Sequence, residues 1–262
     1  MYDEIVVRAR AAGLPVVGHV PFDVGIDHCL QARQDSIEHF KGYEIAPGSN
    51  PRAGRGWVSR AGNWLGYDAA LLGRWVQATL AAGTVNCPTF VVVEAGLRAA
   101  RGAWDETPLD ALPPRFRHMV ETYRLAPPFP AETAEVLAGC LAVQKAFALQ
   151  LFRAGAPLCT GTDAGVYDIL PGASLHCELW HLVDAGLTPA EVMRCATRPD
   201  PRLLQVEPSF GVLQPGARAD LALFAADPTR DIYTVATICG TMVAGRWYPG
   251  GLSAPHRKGA SL

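Results

Sequence analysis

Four short apolar segments, each followed by a helical pattern, constrain this chain more than any other feature. The segments are LPVVGH, DSIEH, TVNCPTFVVV and APLCTGTDAG, and each reads as a strand. Between and after them lie VGIDHCLQAR, YDAALLGRWVQATLAAG, AETAEVLAGCLAVQKAFALQLFRAG, ASLHCELWHLVDAG and TPAEVMRCAT, which carry helical spacing. The chain opens on a further helix, EIVVRARAAG. Gly13, Gly83, Gly155 and Gly186 stand where helices stop, the position a left-handed C-terminal residue favours. Strand and helix in alternation imply parallel strands joined by right-handed crossovers, an α/β fold.

From about Val206 the pattern changes. GVLQPGARADLALFAAD and TICGTMVAGRWYPG are short alternating runs cut by Gly and Pro, which predicts a small β module. The expected organisation is therefore an α/β part over 1–205, a β part over 206–249 and an unpatterned tail over 250–262. Two stretches, 41–66 and roughly 95–130, are rich in Gly, Pro, Arg and Trp and follow strand ends. Loops of that length in that position usually cover a site. Their Trp57, Trp64, Trp104, Arg52 and Arg55 suggest an anionic or aromatic substrate group, with ordinary solvated residues as the alternative.

Composition excludes several functions. Lys and Arg number 23 against 25 Asp and Glu, a net charge of −2, with no run of like charge to attract nucleic acid or a lipid surface. The seven cysteines are odd in number and lack zinc-ribbon spacing, which predicts reduced thiols and a cytoplasmic setting. No membrane span or signal peptide is expected. The expected partner is a small molecule.

In a strand, side chains two apart share a face. His19 thus shares a face with Val17, His39 with Ile37, Thr89 with Cys87, and Asp163 with Gly161 and Cys159, each at a strand's end. At the rim of a parallel barrel, imidazole and carboxylate from separate strands suit a divalent metal. Each residue also has an ordinary reading: a hydrogen-bonded histidine, or an aspartate capping a helix. His28, His118, His176, His181 and His256 lack ligand spacing and are read as structural. Glu38 alternates away from His39. Tyr43, Thr89 and Arg60 are candidate substrate contacts, with surface roles as the default for Tyr43 and Arg60.

The succession GLPVVGHV, DSIEHFKGY, PTF, GAPLCTGTDAG, HLVDAGLTPAEVMRCAT and FGVLQPGARADLALFAADPTRDI resembles the C-terminal two thirds of an amidohydrolase-superfamily enzyme of the imidazolonepropionase-like group. The resemblance implies a partial (β/α)8 TIM-type barrel, strands five to eight, with C-terminal strands of a composite β-sandwich. It implies a metal-dependent hydrolase acting on carbon–nitrogen bonds in non-peptide amides, cyclic amides or small peptides. By position, His19 and His39 would be the metal ligands of the fifth and sixth strands. Asp163, on the eighth, would bind metal and serve as the catalytic proton acceptor. One or two divalent ions, Zn²⁺ first, are expected. The family's His-x-His does not occur anywhere in the sequence, and the fourth-strand lysine has no counterpart. The chain therefore reads as an N-terminally truncated enzyme, and as a poor catalyst alone. The alternative is a non-catalytic half barrel acting as a binding or assembly module.

Four barrel strands leave two open edges, and Val17, Ile37, Val85 and Cys159 would lose their opposite half. A homo-oligomer is expected. A stable, soluble monomer in light scattering at roughly tens of micromolar would overturn that expectation.

Overall fold

The computed structural model describes residues 1–45, 56–103, 109, 112–125, 129–130, 132–198, 200, 203 and 210–250. Arg52, Arg55, Trp104 and His256 lie outside them. Helix α1 (Tyr2–Ala11) leads into β1 (Val17–Gly18), α2 (Ile26–Gln31) and β2 (Ser36–Glu38). Then come α3 (Trp57–Asn63), a 3₁₀ turn (Trp64–Gly66), α4 (Ala69–Ala82) and β3 (Val85–Cys87). Helices α5 (Phe90–Ala100), α6 (Pro114–Arg124), α7 (Thr133–Arg153), α8 (Ala173–Asp184) and α9 (Pro189–Thr197) follow. The last elements are β4 (Leu221–Phe224), β5 (Ile238–Val243) and β6 (Arg246–Pro249).

The parallel sheet runs β1-β2-β3, with Ser36 against Val85 and Glu38 against Cys87. The fourth expected strand is reduced to a single parallel bridge between Asn86 and Leu158. Its hydrogen bonds, Asn86 N–H to the Pro157 carbonyl and Cys159 N–H to the Asn86 carbonyl, continue the sheet by one rung. The α/β class thus stands, while the arc of strands is shorter than the sequence predicts. The second sheet is antiparallel, in the order β4-β5-β6.

The third apolar run is where the reading and the structure differ most. TVNCPTFVVV is a strand only as far as Cys87. Pro88 has no N–H to donate, Thr89 turns left-handed with φ 51, and Phe90 to Val93 begin α5 despite their β-branched content. A tertiary contact favours the helix: Glu178 of α8 accepts the Val91 N–H at 3.0 Å, at the helix's open N-terminal turn. The stretches 41–66 and 95–130 likewise contain helical turns, α3, part of α5 and α6, where loops are expected.

Other boundaries follow local chemistry. Asp68 caps α4 by accepting the Leu71 N–H, and Gly83 ends it at φ 70. Thr188 and Glu191 cap α9 reciprocally, with Pro189 in its first turn. Helix α7 is long and apolar enough to cross a membrane by length and composition alone. It packs against α3, α4, α5 and α8 and buries Leu137, Leu141, Phe147 and Leu151 among them.

Phe40 is the hub of the core. Fully buried, it meets the rings of Tyr43, Trp64, Phe90 and Phe147 at centroid distances of 5.1 to 6.3 Å. Ile37 and Val85, expected to lose cover, are buried at 0% and 1% exposure, whereas Val17 on the edge strand is 55% exposed. Removing the Phe40 ring leaves a cavity in contact with four aromatic side chains. Phe40→Ala should therefore cost about 3–5 kcal/mol in urea unfolding.

Glu178 supports a pH prediction. Burial first, then the neighbouring Glu94 carboxylate, pushes its carboxyl from the ordinary 4.5 up to about 8, against the backbone N–H bonds that favour ionisation. The folded state holds this proton more tightly than the unfolded chain does. The stabilisation is therefore complete below about pH 4.5 and is lost as the pH rises through about 8. Glu178→Gln keeps the acceptor for Val91 and cannot ionise, so its stability should fall less than the parent's between pH 5 and 8 in urea unfolding monitored by circular dichroism.

Candidate active site

The site is built from the segments that leave the parallel strands. His19 follows β1, His39 follows β2, Thr89 follows β3, and Asp163 follows the bridged segment at Leu158. Three of these four, His39, Thr89 and Asp163, adopt positive φ of 58°, 51° and 54°. Non-glycine residues in that region each cost on the order of 1–3 kcal/mol and persist where surrounding structure imposes them. Their concentration at one rim sets that end of the sheet apart.

The local causes are visible. The His39 N–H is tied to the Cys87 carbonyl at 2.8 Å, one step beyond the Glu38–Cys87 rung. The left-handed turn at His39 and Phe40 then sends the imidazole to the pocket and the phenyl ring to the core. Gly161 lets the Asp163 segment pass close to β3, since a Cβ there would lie 2.5 Å from the Cys87 sulfur.

Hydrogen bonding assigns the His39 tautomer. The Thr89 hydroxyl donates to the Pro88 carbonyl at 2.7 Å, so its oxygen is left to accept from His39 Nδ1, 2.5 Å away. Nδ1 therefore carries the proton, and Nε2 faces Asp163 Oδ2 at 3.7 Å with a lone pair. Burial lowers the His39 pKa to about 4, and the Asp163 charge offsets only part of that. Burial also lowers that of His19. Both imidazoles are neutral at pH 7, the form that ligates a metal.

Two lone-pair atoms facing each other with no proton between them suit a cation. The His19 ring stands edge-on to that of His39, centroids 4.9 Å apart. Among the described residues, however, no three His, Cys, Asp or Glu side chains are grouped closely enough to hold an ion. The donor chemistry fits a divalent metal, and the side chains do not close around one.

These residues open into a cavity of about 340 Å³, also lined by Lys41, Glu44, Trp57, Arg60, Gln144 and Tyr167. Arg60 pairs with the buried Glu44 and lies 4.4 Å from the Phe22 ring centroid. Burial lowers the Lys41 pKa to about 8, with Arg60 adding to the effect. Trp57 can approach α5 because Gly96 carries no side chain: a Cβ there would fall 1.9 Å from the indole.

The structure brings His19, His39, Thr89 and Asp163 to this cavity and leaves Tyr43 out of it. Tyr43 is fully buried, its hydroxyl 2.7 Å from Thr79 Oγ1 and its ring against Phe40, Trp75 and Phe147. Glu38 accepts from the Ser36 hydroxyl, turned away from His39. His181 bonds Glu94 at 3.0 Å, and His28 bonds Asp3 at 2.6 Å. Sequence reasoning did not single out Lys41, Glu44 or Gln144. Lys41 could have been found two places beyond His39, whereas Gln144 carries no signal on a long apolar helix.

The chain is similar to known proteins in sequence and in fold. Residues 131–248 match the amidohydrolase family model. No curated protein matches. Among solved structures, a bottromycin amidohydrolase is 28% identical with a TM-score of 0.67, covering 95% of this chain and 53% of its own. A Xaa-Pro dipeptidase with methionine bound in its active site is 20% identical with a TM-score of 0.59, covering 95% and 48%. An ochratoxinase from A. niger is 20% identical with a TM-score of 0.59, covering 97% and 47%. The chain spans about half the length of these structures. Residues 131–248 are thus similar in sequence to the amidohydrolase family, and nearly the whole chain is similar in fold to about half of a bottromycin amidohydrolase.

Proposed function

We propose that the chain contributes to a metal-dependent hydrolase of carbon–nitrogen bonds, acting on non-peptide amides, cyclic amides or small peptides. The observation that carries this reading is the convergence of His19, His39 and Asp163 on one cavity, with His39 Nε2 unprotonated and facing Asp163. His19, His39 and Asp163 would hold the ion, zinc first. When bound, the ion polarises the scissile carbonyl and lowers the pKa of water. The remaining chemistry belongs to the chain.

Asp163, with its side chain 46% exposed in the cavity, accepts the proton of the attacking water and returns it to the leaving nitrogen. Thr89 fixes the His39 ring, in the manner of outer hydrogen bonds that orient metal-binding histidines. Trp57 and Tyr167, centroids 6.1 Å apart, provide an apolar wall against which a substrate is oriented. The short parallel sheet is read as one arc of a barrel, and the antiparallel sheet as part of a β-sandwich.

A non-catalytic half barrel is the second reading; among the described residues the donors do not close around an ion. Zinc calorimetry on the chain, together with hydrolysis of N-acyl amino acids, dipeptides, lactams and cyclic ureas, separates the two. Three donors without His-x-His should bind zinc weakly, and His19→Ala and His39→Ala should each weaken it further by roughly 10-fold or more. Asp163→Asn should reduce any turnover by at least about 100-fold. Zinc binding indifferent to all three changes would remove the metal site, and turnover unaffected by Asp163→Asn would remove its proposed role.

A further inference from the structure

Among the described residues, one cation of the cavity makes no ion pair. Of its two basic side chains, Arg60 is answered by Glu44, which is 3% exposed and also accepts the Gly42 N–H. Lys41 is half-buried and, among the described residues, pairs with no carboxylate and donates no side-chain hydrogen bond. Asp163 in the same cavity acts on this ammonium without pairing with it; withdrawing an ammonium from water without a direct partner is unfavourable, and an anion entering the cavity relieves it.

A second group nearby is also uncommitted. Gln144 is 4% exposed, lines the same cavity, and its Oε1 has no hydrogen-bond partner. It stands one turn of α7 beyond Cys140, which lines the cavity too. An amide carries two donors and an acceptor and can turn either way. It can therefore give an N–H to one oxygen of a carboxylate whose other oxygen meets an ammonium. Trp57 and Tyr167 present aromatic faces in the same cavity.

We infer that Lys41, with Gln144, receives a free carboxylate of the substrate, so that the compounds taken are amides bearing a carboxylate and an apolar or aromatic group, such as N-acyl amino acids. This rests on the hydrolytic reading for the reaction but not for the binding. Lys41 follows His39 by two residues, so the charge is anchored beside the reacting end by the backbone itself. The carboxylate orients the amide, and esters or carboxamides of the same compounds lose that anchor.

The test is calorimetric titration of the chain with N-acetyl-L-phenylalanine and with N-acetyl-L-phenylalaninamide, which differ in charge and little else. The carboxylate should bind at least about 10-fold more tightly. Lys41→Met should abolish the difference, Lys41→Arg should keep part of it, and Gln144→Leu should reduce it. Circular dichroism establishes that each variant is folded. Equal affinity of the parent chain for the two compounds overturns the inference even if a variant fails to fold, and so does a preference that survives both Lys41→Met and Lys41→Gln. Selective binding of the carboxylate without turnover upholds this inference against the hydrolytic reading, whereas turnover of amide and acid alike does the reverse.

Discussion

Two consecutive residues in the left-handed region, His39 at φ 58 and Phe40 at φ 53, hold the site and the core together. An extended strand would send neighbouring side chains to opposite faces of the sheet and carry both onward along it. The left-handed pair instead stops the strand and turns it, with the Phe40 ring sealed among four aromatic rings and the imidazole beside it in the cavity. The strain is offset by burial of the phenyl group, worth roughly 1.5–3 kcal/mol in transfer from water, and by the His39 N–H bond to β3. Geometry at the His39 imidazole is thus coupled to packing in the interior.

The same coupling recurs at β3. Thr89 ends the strand, orients His39 and opens α5, so three tasks meet on one residue. Helix α5 is held at its start by Glu178 from α8, and further along by Glu94 with His181 and by Arg98 with Asp168 at 2.9 Å. The Arg98–Asp168 contact is buried and charged, and removing one partner from such a pair is strongly destabilising. Helix α8 therefore positions Thr89, and through it His39, without touching the cavity floor.

The cavity divides its charges by function. One end carries neutral imidazoles and a carboxylate, a set of lone pairs suited to a cation. Lys41 lines the same cavity, close enough to act on both imidazoles, beside an internally neutral Arg60–Glu44 pair. Apolar contact comes from Trp57, seated on Gly96, and Tyr167.

His19, His39, Thr89 and Asp163 could be found from the sequence because strand periodicity is local: an apolar run that ends on an ionisable side chain shows its register in a handful of residues. The Gly stops, the Thr188 cap and the switch to short β runs are local for the same reason. What the sequence could not show depended on partners far along the chain. FVVV becomes helix because Glu178, 87 residues away, satisfies its first turn. Tyr43 lies in the core because Trp75 and Phe147 enclose it, although its position after a strand-end histidine suggested a pocket. The segment around Asp163 pairs by one rung because β3 ends at Cys87, where Pro88 offers no donor. Lys41 and Gln144 share a cavity only once α7 packs against α3 and α5. Periodicity determined which residues face one another within an element, and long-range packing alone decided which elements meet and which charges are left without a partner.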